Sequence, residues 1–100
     1  MKVRFANADL DRLETDASFT GGFQPEVVKG FRKVMQVIRA AADERDFYAM
    51  RSLHFEKLKG DRANQRSLRL NIKWRLIVEI ESADPKNIVV IVDIENHYGD

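Results

Sequence analysis

The chain opens with polar and apolar residues in strict alternation. Val3 and Phe5 alternate with Lys2 and Arg4. Successive side chains of a β-strand point to opposite faces, so this pattern puts the apolar pair on one face and the basic pair on the other. It predicts a first strand over about residues 1–6.

A short helix is expected next, because Leu10 and Leu13 recur at helical spacing. Asn7 or Asp9 can cap its N-terminus, since a short polar side chain there accepts a hydrogen bond from the first free backbone N–H groups. The helix should end before Thr20-Gly21-Gly22, where the glycine pair signals a turn.

A second helix is marked more strongly. Pro25 suits its first turn, because that position has no helical hydrogen bond to lose. Gly30 lies within it at a small cost in helix stability. The apolar residues at helical spacing form one stripe, which predicts a face that packs on the protein core. They are Val27, Val28, Phe31, Val34, Met35, Ile38, Ala41 and Ala42.

The second half of the chain changes to strand-like patterns. Residues 47–64 mix aromatic, basic and turn-forming side chains and predict a long excursion. Residues 67–71 and 74–80 alternate, residues 83–87 suit a turn, and residues 88–94 are apolar on both faces, as in an interior strand. The predicted order is β-α-α-β-β-β: an α+β domain with two N-terminal helices packed on a small, mainly antiparallel sheet.

The register of the predicted hairpin places two arginines side by side. The apolar residues of both strands share the core only if Leu70 pairs with Trp74 across a three-residue loop, residues 71–73. A two-residue loop would mix apolar and charged side chains on both faces. The favoured register puts Arg69 directly opposite Arg75 on the face away from the core.

Opposed like charges destabilise a sheet by a few tenths of a kcal/mol or more, roughly, so compensation is expected. Glu79 on the same face can supply part of it, and an anionic ligand can supply the rest, because guanidinium groups grip phosphate with paired hydrogen bonds. Two solvated arginines with bent side chains are the alternative. Further cations close in sequence could join a phosphate site: Lys57, Lys59, Arg66 and Lys73.

Composition and charge narrow the class of protein. One hundred residues with 44% hydrophobic and 33% charged residues suit a single globular domain over residues 1–100. The formal net charge is +1, but residues 51–75 hold eight basic and two acidic residues, which suits a polyanionic partner or a solvated face. The absence of cysteine excludes disulfide and thiolate chemistry, and two histidines make a histidine-rich zinc site unfavourable. No signal peptide or membrane-spanning run is recognisable, so a cytoplasmic protein is expected.

His97 follows the last predicted strand and is followed by Tyr98. A histidine beside a phosphate-binding arginine pair can act as a general acid or base near neutral pH. An exposed terminal histidine without a role is the alternative. His54, between Leu53 and Phe55, is expected to be a structural or surface residue.

Four parts of the chain form a recognisable set: Leu58-Lys59-Gly60-Asp61, Ser67-Leu68-Arg69-Leu70-Asn71, Trp74-Arg75-Leu76 and the terminal His97. Together they resemble the HigB toxins of the RelE/ParE superfamily. The order of predicted elements agrees with that superfamily over essentially the whole chain, and residues 58–76 are the most specific part.

The resemblance implies the toxin of a bacterial type II toxin–antitoxin system, with a RelE/ParE-like fold. HigB-like toxins are ribosome-dependent endoribonucleases (mRNA interferases) that inhibit translation, with no metal or other cofactor. The implied partners are the ribosome, mRNA and a HigA-like helix-turn-helix antitoxin, through which alone the toxin meets operator DNA; no membrane is involved.

The resemblance implies a role for individual residues. Arg69 and Arg75 match arginines that contact the scissile phosphate, and His97 matches a terminal histidine that is a candidate for proton transfer. Lys57 and Lys59 match a basic loop that holds RNA, and Lys57 could assist at the 2′-OH. The remaining candidates for RNA or phosphate binding are Arg66, Asn71, Lys73 and Tyr98.

The chain also departs from the family pattern. The usual Asp-Tyr-His ending is Glu95-Asn96-His97 here, and whether Tyr98 replaces the missing tyrosine is open. Two other functions therefore stay in view: a ParE-like inhibitor of DNA gyrase without nuclease activity, and a weakly toxic co-repressor partner of the antitoxin. The retained Arg69, Arg75 and His97 favour the nuclease.

Overall fold

The structure is a computed structural model that describes residues 1–96. Its helices and strands are β1 (Lys2–Phe5), α1 (Ala8–Thr15), α2 (Pro25–Ala40), α3 (Arg45–Ala49), β2 (Glu56–Lys57), β3 (Gln65–Arg69), β4 (Trp74–Glu81) and β5 (Ile88–Asn96). Short 3-10 turns lie at Arg51–Leu53 and Gly60–Arg62. The strands form one sheet in the order β1-β5-β4-β3-β2, in which only the β1–β5 pair is parallel.

The predicted α+β architecture is confirmed, including both N-terminal helices. The side chain of Asn7 caps α1 by accepting a hydrogen bond from the backbone N–H of Leu10 at 2.9 Å, and Pro25 begins α2. The predicted stripe of α2 is too long, because the helix ends at Ala40 and leaves Ala41 and Ala42 beyond it. The predicted excursion also contains regular structure, namely most of α3, the two short 3-10 turns and the edge strand β2.

The core lies between the helices and one face of the sheet. Helix α2 contributes the buried side chains Val27, Val28, Phe31, Val34, Met35 and Ile38. The sheet meets them with Leu68, Leu76, Val78, Val89, Ile91 and Ile94. The opposite face of the sheet, here called the outer face, carries Arg69 and Arg75 together with the buried side chain of Ile77. No helix of residues 1–96 is both long and apolar enough to cross a membrane.

A β-bulge in β5 decides which residues of that strand reach the outer face. Leu76 pairs with Ile94 but Val78 pairs with Ile91, so β5 has one extra residue between these pairs. Simple alternation from Ile91 would put Glu95 on the core face. Because the bulge reverses the alternation, Ile94 is buried in the core and Glu95 lies on the outer face.

Gly30 is where α2 packs against the end of the β3–β4 hairpin. A Cβ atom at Gly30 would lie 2.6 Å from the backbone oxygen of Leu70, closer than any side chain tolerates. Glycine is therefore required here for close packing. The sequence alone indicated only that Gly30 lowers helix stability slightly. The close approach joins α2 to the end of the hairpin that carries the two arginines.

Candidate functional site

The two arginines singled out by the sequence face each other on neighbouring strands. Arg69 of β3 is the register partner of Arg75 of β4, and Leu68 is the partner of Leu76, as predicted. Arg75 is in turn the register partner of Glu95 on β5. Arg69, Arg75 and Glu95 thus form a row across three strands of the outer face.

The hairpin loop holds Arg69 in place. The side-chain oxygen of Asn71 accepts hydrogen bonds from the backbone N–H groups of Lys73 and Trp74, each at 2.9 Å. The backbone oxygen of Asn71 accepts a hydrogen bond from Nε of Arg69 at 3.3 Å. These contacts of Asn71 shape the loop and orient Arg69, and its predicted contact with RNA stays a prediction.

His54 lies beside Arg69, which the sequence analysis did not anticipate. Nη1 of Arg69 is 3.1 Å from Nε2 of His54, within hydrogen-bonding distance. His54 ends the 3-10 turn Arg51–Leu53 in the left-handed region, with φ 45° and ψ 52°. A non-glycine residue is uncommon there, and such strained positions cluster at functional sites.

A cavity of about 290 Å³ joins these groups. Its lining residues come from the β3–β4 hairpin and from the segment that leads into β2: His54, Glu56, Ser67, Arg69, Asn71, Ile72, Trp74 and Arg75. Glu56 is the register partner of Ser67, which places its carboxylate on the outer face with Arg69. The cavity therefore combines two guanidinium groups, an imidazole and a carboxylate, which suits a phosphodiester and proton transfer next to it.

The other predicted cations do not line this cavity. Lys57 and Arg66 are register partners on the opposite face of the β2–β3 edge from Arg69. Nη1 of Arg66 donates instead to the backbone oxygens of Ala63 and Gln65, at 3.3 and 3.4 Å. One step along a strand reverses the face, so these two side chains lie outside the cavity lining, and their predicted contact with RNA stays a prediction.

Lys59 and Lys73 are exposed, Lys59 after the end of β2 and Lys73 in the hairpin loop. Both lie at the surface outside the cavity lining. His97 and Tyr98 lie outside the described residues, so their predicted roles stay predictions.

The carboxylate that faces the arginine pair is also different from the one expected. Glu79 is the register partner of Gln65 and accepts a hydrogen bond from its Nε2 at 3.1 Å. Glu95 instead lies opposite Arg75, with 3.9 Å between its Oε1 and Nη2 of Arg75. The bulge in β5, which the sequence did not reveal, causes this difference.

His54 and Glu56 are the site residues that the sequence analysis missed. An alternating sequence pattern could have indicated them. Leu53 and Phe55 are apolar and buried, while His54 and Glu56 are polar and exposed. This alternation places the imidazole and the carboxylate on one side of the segment, facing away from the core.

Comparisons with known proteins agree with this fold. A family model described as the RelE-like toxin of the type II toxin–antitoxin system HigB matches residues 3–95. The YoeB/ParE toxin from Agrobacterium tumefaciens is a similar solved structure, with 19% sequence identity, a TM-score of 0.57 and coverage of 98% of this chain and 100% of that one.

The conserved hypothetical protein HP0894 from Helicobacter pylori is also similar in structure. It has 15% identity and a TM-score of 0.53, with coverage of 98% of this chain and 96% of that one. At such low identities these two structures show a shared fold. No curated protein matches the chain.

Proposed function

Since the chain belongs to the HigB-like family of RelE-like toxins from type II toxin–antitoxin systems, we propose that it is a ribosome-dependent endoribonuclease that cleaves mRNA and so inhibits translation. The observation that carries this proposal is the arginine pair with an imidazole beside it. Arg69 and Arg75 are register partners, and His54 lies 3.1 Å from Arg69 in the same cavity.

The arginine pair supplies the electrostatic part of the reaction. When a 2′-oxygen attacks the adjacent phosphorus, negative charge grows on the non-bridging phosphate oxygens. Arg69 and Arg75 donate hydrogen bonds to those oxygens and stabilise the charge, which a guanidinium does with fixed, paired donors. Removing one such donor typically lowers a rate by ~10²–10³.

Proton transfer completes the reaction. The 2′-OH loses its proton, the P–O5′ bond breaks, and the departing 5′-oxygen takes up a proton, which leaves a 2′,3′-cyclic phosphate and a 5′-hydroxyl. The cavity lining includes the imidazole of His54 and the carboxylate of Glu56, and groups of these two kinds can transfer protons. We assign them as the acid–base pair, and His97 remains the second candidate acid on the strength of the family resemblance.

RNA binding would extend from the cavity to the basic residues around it. Lys73 and the hairpin loop flank the cavity, while Lys57, Lys59 and Arg66 give the β2–β3 edge a positive charge that suits the backbone of ribosomal or messenger RNA. Tyr98 remains a candidate for contact with a nucleobase.

The family implies an antitoxin partner. We propose that this antitoxin is a HigA-like helix-turn-helix protein, and that the toxin meets operator DNA only within their complex. The toxin then acts in the cytoplasm, where ribosomes and mRNA are its targets. No resident metal enters the proposed reaction, because the guanidinium groups and the acid–base pair can supply the charge stabilisation and the proton transfers.

Primer extension on cellular mRNA during induction in a bacterial host tests the function. The nuclease predicts new 5′ ends within coding regions, which disappear in Arg69→Ala and Arg75→Ala; Arg45→Ala, at an exposed position of α3, is the matched control and should cleave normally. Intact mRNA together with DNA damage would overturn the proposal in favour of a gyrase inhibitor. If induction neither inhibits growth nor cleaves mRNA, the result would overturn the proposal in favour of a co-repressor partner of the antitoxin.

A further inference from the structure

A guanidinium–carboxylate cluster adjoins the cavity on the outer face. Arg62 donates to both oxygens of Glu95: Nη1 to Oε1 at 3.1 Å and Nη2 to Oε2 at 2.6 Å. Oε1 of Glu95 is 3.9 Å from Nη2 of Arg75. Glu95 therefore lies between two guanidinium groups and makes its short contacts with Arg62.

Glu95 makes its short contacts with Arg62 although its register partner is Arg75. Directly opposed side chains of opposite charge normally attract each other across a strand pair. A close, two-pronged pair between Glu95 and Arg75 would compete with the phosphate for the guanidinium group of Arg75. Arg75 is only 15% exposed, so such a pair would be poorly screened by solvent.

Arg62 is also hydrogen-bonded to a second residue, Gln65. Its Nε donates to Oε1 of Gln65 at 3.0 Å, and Nε2 of Gln65 donates to Glu79 at 3.1 Å. The fork of Arg62 is thus fixed between Gln65 and Glu95, which orients both of its terminal nitrogens toward the carboxylate. Arg62 ends the turn Gly60–Arg62, so this turn of the β2–β3 connection is tied to the far strand β5.

We propose that Arg62 is a positioning residue that sequesters the carboxylate of Glu95. By binding both carboxylate oxygens, Arg62 keeps Glu95 from closing on Arg75 and thereby preserves the affinity of the arginine pair for phosphate. This inference rests on the proposed function, because it assumes that Arg69 and Arg75 bind a phosphate group.

A double-mutant cycle with inorganic phosphate as the probe tests the proposal. Phosphate binding to the full-length chain is followed by NMR, on the side-chain N–H signals of Arg69 and Arg75. Arg62→Ala should weaken binding about tenfold, Glu95→Gln alone should change it less than about twofold, and the double variant should return to within about threefold of wild type.

A general charge effect makes a different prediction. If Arg62 acts only through its positive charge, the effects of Arg62→Ala and Glu95→Gln add, and Glu95→Gln strengthens binding equally in both backgrounds. Additivity, or unchanged binding in Arg62→Ala, would overturn the inference while leaving the proposed function in place. Absence of phosphate binding to the arginine pair in the wild type would overturn both.

Arg62→Lys adds a second comparison. Lysine keeps the charge but cannot hold both carboxylate oxygens in a fixed fork. It should weaken phosphate binding about threefold, between wild type and Arg62→Ala on the affinity scale. Equal binding by Arg62→Lys and wild type would contradict sequestration by the fork. Arg62 is 39% exposed, so these variants should keep the fold, which unchanged thermal unfolding and backbone NMR spectra verify.

Discussion

Nη1 of Arg69 and Nε2 of His54 lie 3.1 Å apart, although 15 positions separate these residues in the chain. Arg69 belongs to β3, whereas His54 follows the turn Arg51–Leu53, and the cavity brings them together. The contact places an imidazole next to the arginine that we propose to bind phosphate.

His54→Ala should lower the rate of mRNA cleavage by ~10²–10³, because the reaction loses a proton-transfer group. The fold should persist, since the His54 side chain is exposed. Single-turnover cleavage of mRNA on programmed ribosomes measures the rate. The matched control is Tyr48→Ala, also exposed but outside the cavity lining, which should cleave normally. Wild-type cleavage by His54→Ala would exclude the imidazole from the reaction.

Gly30→Ala should destabilise the protein by about 1–3 kcal/mol, because the new methyl group would meet the backbone oxygen of Leu70. Helix propensity alone predicts the opposite sign, since alanine favours an exposed helix by about 1 kcal/mol over glycine. Urea unfolding distinguishes the two outcomes. Gln36→Ala, at an exposed position of α2, is the control and should change stability little. A more stable Gly30→Ala variant would show that this packing contact is absent.

Ile72→Ser should weaken binding of the toxin to mRNA on the ribosome about threefold to tenfold, with unfolding unchanged. Ile72 is 65% exposed at the tip of the hairpin and lines the cavity, so under the proposed function its apolar side chain would contact a nucleobase next to the bound phosphate. Met50→Ser removes another exposed apolar side chain, outside the cavity lining, and serves as the control. Equal losses in both variants would argue for a general surface effect.

Asp43 should titrate with a pKa of about 2, below its usual 3.8, chiefly because the Arg45 side chain donates hydrogen bonds to it. A carboxyl with a lowered pKa in the folded state contributes stability above its unfolded-state pKa near 3.8 and loses it as the pH falls toward 2. NMR titration of the carboxyl carbon measures the midpoint. Arg45→Gln should move it back toward 3.8. An Asp43 midpoint near 3.8 in the wild type would contradict this pairing.

The opposed positions of Arg69 and Arg75 could be predicted from the sequence, because the apolar residues that must share the core determine the register of the hairpin. Leu68 can meet Leu76 in the core only in the register that opposes Arg69 and Arg75. Helix α2 was predictable for a related reason, since its apolar stripe needs one buried face.

The carboxylate partner of Arg75 was not predictable. Glu95 reaches the outer face through a β-bulge, and a single inserted residue leaves no clear mark in a strand that is apolar on both sides. Its short contact with Arg62 joins residues 33 positions apart, which no local pattern encodes.

His54 was missed for a different reason. Its left-handed backbone turns the chain into β2, and sequence patterns indicate that conformation mainly at glycine or asparagine. The alternation of Leu53, His54, Phe55 and Glu56 shows which side chains face outward. It does not show that they face Arg69, because that depends on how β2 pairs with β3.

The most direct test of the central claim is the rate of mRNA cleavage on programmed ribosomes by purified wild type, Arg69→Ala and Arg75→Ala, with analysis of the product ends. The paired arginines predict 2′,3′-cyclic phosphate and 5′-hydroxyl ends for the wild type, and a rate about 10²–10³ lower for each variant, with unchanged unfolding. Cleavage by both variants at the wild-type rate would contradict the claim that this pair holds the scissile phosphate.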